Sequence, residues 1–205
     1  MGAQPLWSVE WRREGEVLVA IEPTPEEIAS AAAALATAYN DAHNSRMMGH
    51  AAPLSPEEVV VSFEELRAEE GRPFLLQQAG VLMGDGDLRN IEGRTGELAI
   101  MIGGRGAQGR GLGTRFAIML HAFAFGVLGL ERIYVSIIPA NTASRRLFEK
   151  LGYELDDSPE AREFIDDETD LTLSVERARF EDARGAELAE IRLHERLIGP
   201  AGSKG

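Results

Sequence analysis

The sequence predicts a mixed α/β domain, and three observations carry the prediction. Two helix starts of the same capping design come early, short strands joined by tight turns follow, and then come an apolar strand, an amphipathic helix and a β-branched strand in succession. Helices, a meander and a βαβ crossover together give a mixed sheet, mostly antiparallel with one parallel pair, flanked by helices. At 205 residues the chain is long enough for one well-cored domain and short for two. A single domain over residues 1–205 is expected, its core at about 15–180, with 181–205 as a C-terminal extension of helix and tail.

After a polar start, Val17, Leu18, Val19, Ala20 and Ile21 form an apolar run of strand length, closed by Glu22-Pro23. Thr24-Pro25-Glu26-Glu27 then combines an N-cap threonine, proline at the first helical position and glutamate three residues after the cap, so a helix is expected over about 25–39. Ser55-Pro56-Glu57-Glu58 repeats the device and opens a second helix to about residue 70, stopped by Gly71. Residues 40–53 between them read as a polar, irregular connection. Strands are expected at 74–78, 81–88 and 97–102, with turns at Ala79-Gly80 and across 90–96. Phe116, Leu120, Phe123 and Val127 recur at helical spacing, so an amphipathic helix precedes a strand at 133–138. Asn141 caps a short helix over 142–151 with Gly152 as its stop. Leu171, Leu173 and Val175 alternate with polar residues as a strand, and 181–197 reads as an exposed helix rich in Glu and Arg.

Lys and Arg number 21 against 34 Asp and Glu, a net charge of −13. Such a field repels nucleic acid and anionic membrane surfaces and attracts cations, so no nucleic-acid or membrane partner is expected. With no cysteine there is no disulfide framework, thiolate metal site or thiol nucleophile. The four histidines show no ligand spacing, and no metal is expected. The N-terminus lacks a signal-peptide pattern, and no apolar run reaches the ~18 residues of a transmembrane helix, so a soluble cytoplasmic protein is expected.

The chain is organised around Gln108-Gly109-Arg110-Gly111-Leu112-Gly113-Thr114, between the strand at 97–102 and the amphipathic helix. A strand feeding a glycine-rich turn that opens a helix collects unpaired backbone N–H groups at the positive end of the helix dipole, a site for phosphate. The Lys-Ser/Thr of a nucleotide P-loop is absent. Downstream, beyond one helix and one strand, lies Asn141-Thr142-Ala143-Ser144-Arg145-Arg146-Leu147-Phe148-Glu149-Lys150-Leu151-Gly152-Tyr153.

In these two segments the chain resembles the GCN5-related N-acetyltransferase (GNAT) superfamily. The first matches its Gln/Arg-x-x-Gly-x-Gly/Ala signature as Gln108-x-x-Gly111-x-Gly113. The second resembles its Asn-x-x-Ala/Ser-x-x-Leu-Tyr/Phe-Glu-Lys-x-Gly-Phe/Tyr motif. The resemblance implies a central strand splayed from its parallel neighbour and acetyl-CoA, or another acyl-CoA, as co-substrate. It implies a pyrophosphate on the backbone of Gln108, Gly109, Arg110, Gly111, Leu112 and Gly113, with the Thr114 hydroxyl as an added donor. The pantetheine arm would pair with the strand at Met101 and Ile102, and Asn141 and Ser144 would reach it, with Phe148 beside them.

Acetyl transfer to an amine needs a neutral nucleophile, a stabilised oxyanion and a proton for the leaving thiolate. Glu97, which starts the central strand on one face with Ala99 and Met101, is the candidate base, since many members of the superfamily carry a glutamate here that works through water. Where many members have a tyrosine to protonate the thiolate, this chain has Phe148, which leaves Ser144, Tyr153, Tyr134 or water, or a leaving thiolate that needs no dedicated acid. Asp85, Asp87 and Arg89 have two readings, a pair of carboxylates in the cleft for an ammonium or a hairpin tip. The acceptor implied is a primary amine, expected to be a small cationic molecule. A protein N-terminus or lysine is the alternative acceptor, and a non-catalytic acyl-CoA binding or sensing module the alternative function. A homodimer through the C-terminal helix is a further expectation.

Overall fold

A computed structural model describes residues 5–49, 52–103, 111–165 and 167–197. Its strands and helices follow one another as β1 (Trp7–Arg13), β2 (Glu16–Ile21), α1 (Pro25–Tyr39), α2 (Ala42–Met47), α3 (Pro56–Ala68), β3 (Arg72–Gln78), β4 (Val81–Glu92) and β5 (Thr95–Ile102). After the glycine loop come α4 (Leu112–Gly126), β6 (Arg132–Ile137), α5 (Thr142–Lys150), β7 (Glu154–Leu155), a 3-10 turn (Ala161–Phe164), β8 (Leu171–Glu176), α6 (Arg177–Glu190) and β9 (Ile191–Glu195). The described strands form one sheet in the order β7-β8-β6-β5-β4-β3-β2-β1-β9. Among the described strands only β5 and β6 run parallel, joined by α4 as the crossover, and the other pairs are antiparallel.

Both capping boxes form. Thr24 Oγ1 accepts from Glu27 N at 3.2 Å while Glu27 Oε2 accepts from Thr24 N at 2.7 Å. Ser55 and Glu58 repeat the exchange at 3.2 and 2.7 Å. Each satisfies donors that a helix start otherwise leaves orphaned.

The main core lies where α4 packs on one face of the sheet, with Phe116, Leu120 and Phe123 against Phe74, Leu76, Leu98 and Val135. The other face is covered by α1 and α3, whose Ile28, Leu35, Val59 and Phe63 meet Leu75 and Met101. Sheet alternation divides the two cores, since neighbouring residues of one strand point to opposite faces. No helix among the described residues is long and apolar enough to cross a membrane.

Several elements differ from the sequence reading. The polar start holds β1, whose Val9 and Trp11 are buried. It joins β2 through Glu14-Gly15, both with positive φ, the two-residue hairpin that matches strand twist. The connection at 40–53 contains α2. The helix expected over 181–197 runs instead over Arg177–Glu190 and gives way to β9, which pairs with β1 at the sheet edge. Ile191 and Leu193 alternate with Arg192 and His194, a period of two that ends the helix.

Candidate active site

The β5–β6 ladder comprises Thr95↔Arg132, Gly96↔Ile133 and Glu97↔Tyr134 and then ends, although the strands continue to Ile102 and Ile137. Beyond Glu97 one edge of β5 therefore lacks a strand neighbour. Two cavities open there, of about 800 Å³ and about 350 Å³. They share Ile100, Met101, Asn141 and Ser144 and so meet at the splayed strand.

The smaller cavity ends at the first turn of α4, where Gly111, Leu112, Gly113 and Thr114 line it. Gly111 is the N-cap at φ 75°, and the first amide bonded back into the helix is Arg115 N, to Gly111 O at 3.1 Å. The preceding N–H groups have no partner within the helix and carry its positive end, which suits an anion. A Cβ on Gly113 would stand 2.9 Å from Leu147 Cδ1, so glycine there lets α4 and α5 approach. Gln108, Gly109 and Arg110 lie outside the described residues. The residues that are described fit a cofactor with phosphates at one end and an amide-bearing arm at the other, since Ile102 and Met101 offer strand backbone along the same cavity.

Asn141 caps α5 and spans the junction. Its Oδ1 accepts from Ser144 N at 3.0 Å and its Nδ2 donates to Met47 O at 3.3 Å, tying α5 to α2. Asn44 of α2 donates to Ala38 O at 2.9 Å and lies 3.9 Å from Met101 Sδ, which closes this corner.

The larger cavity is walled by β4, β5, β6, α1 and α3. Directly opposed residues of antiparallel strands share a face, and the β4–β5 register sets Asp85 opposite Met101, Asp87 opposite Ala99 and Arg89 opposite Glu97. Asp85 and Asp87 thus lie within a strand in mid-sheet and line the cavity; the Gly-Asp-Gly-Asp segment is not a hairpin tip. Gly84 and Gly86 face α4 and β5 instead. A Cβ on Gly84 would fall 2.1 Å from Met101 O, and one on Gly86 2.7 Å from Ala99 O. Only glycine allows this approach, and Met83, skipped in the β3–β4 register, makes a bulge beside it.

Asp87 holds Arg89 in a fork, at 2.6 and 2.7 Å. Asp85 Oδ2 accepts from the Tyr39 hydroxyl at 2.6 Å. Burial pushes the Asp85 carboxyl up to about 7; Tyr39's hydrogen bond pulls it back, Asp87 raises it and Arg89 lowers it. The Tyr39 phenol is raised far above its ordinary value by burial and by Asp85. Tyr39 closes the buried stripe Ile28, Ala32, Leu35 and Ala36 of α1. That stripe was the available sign that its ring points at the sheet.

Glu97 is 2 % exposed and accepts from Asn90 Nδ2 at 2.8 Å. Asn90 lines the larger cavity, whereas Glu97 sits where the β5–β6 ladder closes the wedge. Phe148 is buried, lines the larger cavity and meets the Tyr153 ring edge-on at 5.0 Å. Tyr153 itself is committed elsewhere, its hydroxyl 2.7 Å from His121 Nε2. Tyr134 stacks on Phe164 at 4.2 Å. Of the four alternatives for protonating a leaving thiolate, Ser144 has a side chain on both cavities and water needs none.

A family model described as an acetyltransferase (GNAT) domain matches residues 18–154. No sequence among the curated proteins matches the chain. Among solved structures, Mycobacterium smegmatis RimJ in complex with CoA-disulfide superposes with a TM-score of 0.70 at 18% identity, covering 89% of this chain and 93% of that one. Aminoglycoside acetyltransferase AAC(6')-Ib with coenzyme A gives 0.65 at 18%, covering 82% and 99%. Spermidine N-acetyltransferase from Vibrio cholerae with CoA and spermine gives 0.64 at 18%, covering 80% and 97%. With the mixed sheet, its single parallel pair and a family match over most of the domain, the chain belongs to the GNAT acetyltransferase family.

Proposed function

We propose that the protein transfers an acetyl group from acetyl-CoA to the primary amine of a small cationic acceptor, both held at once in a ternary complex. The observation that carries this reading is the meeting of the two cavities at Met101, Asn141 and Ser144. The smaller, ending on the amides of α4, suits the phosphates of coenzyme A; the strand edge at Met101 and Ile102 suits its amide-bearing arm. The larger suits an amine cation. Glu65 of α3 and Glu69 just after it, Asp85 and Asp87 of β4, and Asp167 and Asp170 before β8 line it, against Arg89. An excess of carboxylates on facing walls favours an acceptor with several ammonium groups. The names of two structural neighbours carry aminoglycosides and spermidine, which agrees with that choice. Glu97 accepts from Asn90, which lines this cavity, and a water-relayed role for it would follow that route.

A thiol-release assay with acetyl-CoA and a panel of polyamines, aminoglycosides, a lysine peptide and free peptide N-termini tests the reading. Turnover is expected on a polycationic small amine. Preference for the peptides would move the acceptor to protein amines. Phe148, unable to donate a proton, favours a second reading, a binding or sensing module. Tight acetyl-CoA binding with no turnover on any amine would establish that reading instead.

A further inference from the structure

Asp85 is 8 % exposed, yet its Oδ1 has no hydrogen-bond partner, while Oδ2 is held by Tyr39 at 2.6 Å. Among the described residues no other carboxylate oxygen is both buried and unpartnered. A half-satisfied buried carboxylate is costly, because it loses hydration without a full set of donors in return. The groups around it do not relieve it. Tyr39 of α1 is already bonded to Oδ2, Arg89 is forked by Asp87 on its own strand, and Met101 and Ala99 of β5 bring no side-chain N–H or O–H donor. Asn44 of α2 turns its amide to Ala38 O and Met101 Sδ. Asp85 lines the larger cavity opposite Met101, where both cavities meet; Oδ1 itself is covered, so a donor from the cavity reaches it once a neighbouring side chain gives way.

The geometry points to Asp85 as the catalytic base of the transfer, its Oδ1 taking a proton from the acceptor's ammonium while Tyr39 positions the carboxylate through Oδ2. The inference rests on the acetyltransferase reading above and assigns the base within it. The acceptor ammonium gives one proton to Asp85 and keeps the electron pair on nitrogen. That pair forms the C–N bond to the thioester carbonyl carbon, and the C–S bond breaks with its electrons on sulfur. The second proton shed by nitrogen passes to sulfur directly or through water, giving amide and thiol. Asp85 releases its proton to solvent as the product leaves. The sum is ammonium plus thioester to amide, thiol and one proton. A carboxyl held near 7 by burial is matched to accepting a proton at neutral pH.

The test is the pH dependence of kcat/KM between pH 5 and 9, using an acceptor whose own amine titrates near ~10. It compares the wild type with Asp85→Asn, Tyr39→Phe and Glu97→Gln, and measures acetyl-CoA affinity by calorimetry for each. The wild type is expected to rise through a limb near 7. Asp85→Asn is expected to lose that limb and about 10²–10⁴ in kcat, with acetyl-CoA affinity kept. Tyr39→Phe is expected to keep the limb and move it to higher pH, because the lost hydrogen bond favoured the ionised form. Glu97→Gln is expected to leave the limb in place. An unchanged limb in Asp85→Asn, or its loss in Glu97→Gln, overturns the assignment. Should Asp85→Asn fail to fold, Tyr39→Phe decides, and an unmoved limb there overturns it. A wild type that binds acetyl-CoA but acetylates no amine removes the acetyltransferase reading itself, and the base with it.

Discussion

His121 is fully buried, stacked on Phe180 with ring centroids 4.0 Å apart, and burial pushes its imidazole down to about 4. Its Nδ1 lies 2.7 Å from Ala117 O. A carbonyl can only accept, so Nδ1 carries the proton and Nε2 of the neutral ring accepts from Tyr153. The native state keeps His121 neutral while the unfolded chain protonates below about 6.5. Its contribution to stability is present above that pH and is lost as pH falls toward 4. Asp85 runs the other way, because its folded pKa is raised from 3.8 to about 7. The native state holds a proton that the unfolded chain has given up, so this contribution is present below about 3.8 and lost as pH rises through 7. Each is on the order of 3–4.5 kcal/mol at 1.36 kcal/mol per pK unit. Urea titrations at pH 4, 5.5 and 7.5 are expected to show Asp85→Asn gaining stability relative to wild type as pH rises, and His121→Gln losing it. Parallel curves for all three proteins would show that neither group is perturbed.

Among the elements, β4 is constrained by its close approach to β5. Methyl groups at Gly84 or Gly86 would press on backbone oxygens of β5 rather than on a flexible side-chain end. Gly84→Ala is expected to cost about 3 kcal/mol or more, with a lower Tm and lost acetylation because Met101 and Asp85 separate. An alanine there with wild-type Tm would mean that β5 yields freely. The same segment marks a limit of sequence reading. A strand over 81–88 is expected, but whether Asp85 and Asp87 face the cleft stays open in the sequence, because that depends on the strand lying opposite, which no local pattern records. Helices α1, α3 and α5 were legible because their signals are local: the boxes at Thr24 and Ser55 and the cap at Asn141 lie within four residues of what they satisfy. At the candidate site, Met101, Asn141, Ser144 and the start of α4 are expected from the resemblance that the two motifs carry. Tyr39 could not be paired with Asp85, 46 residues on, because that contact exists only once α1 lies across the sheet.

For the molecule as a whole, the charge of −13 and the carboxylates around the larger cavity act together. Exposed charges are screened within about 8–10 Å at 0.1–0.15 M salt. Between 50 and 300 mM salt, kcat/KM for a polyvalent amine is expected to fall about 3- to 10-fold, and for a monoamine less than about 2-fold. Equal slopes would show that the walls recognise a single ammonium.

The pairing of β9 with β1 gives the chain a late-closing seam. Trp11 Nε1 donates to Glu190 Oε2 at 2.8 Å across 179 positions of sequence, and Arg196 grips Glu27 across 169. During synthesis β1 leaves the ribosome long before its outer neighbour exists, and at ~5–20 residues per second it waits on the order of ten seconds or more. In that interval its outer edge is an unpaired row of amides and carbonyls, open to any other nascent strand. A chain ending at residue 176 is therefore expected to aggregate on expression, with partial rescue when residues 177–197 are supplied as a separate peptide. Sedimentation of the two preparations would decide it; a soluble monomer without the peptide would mean that β1 protects its own edge.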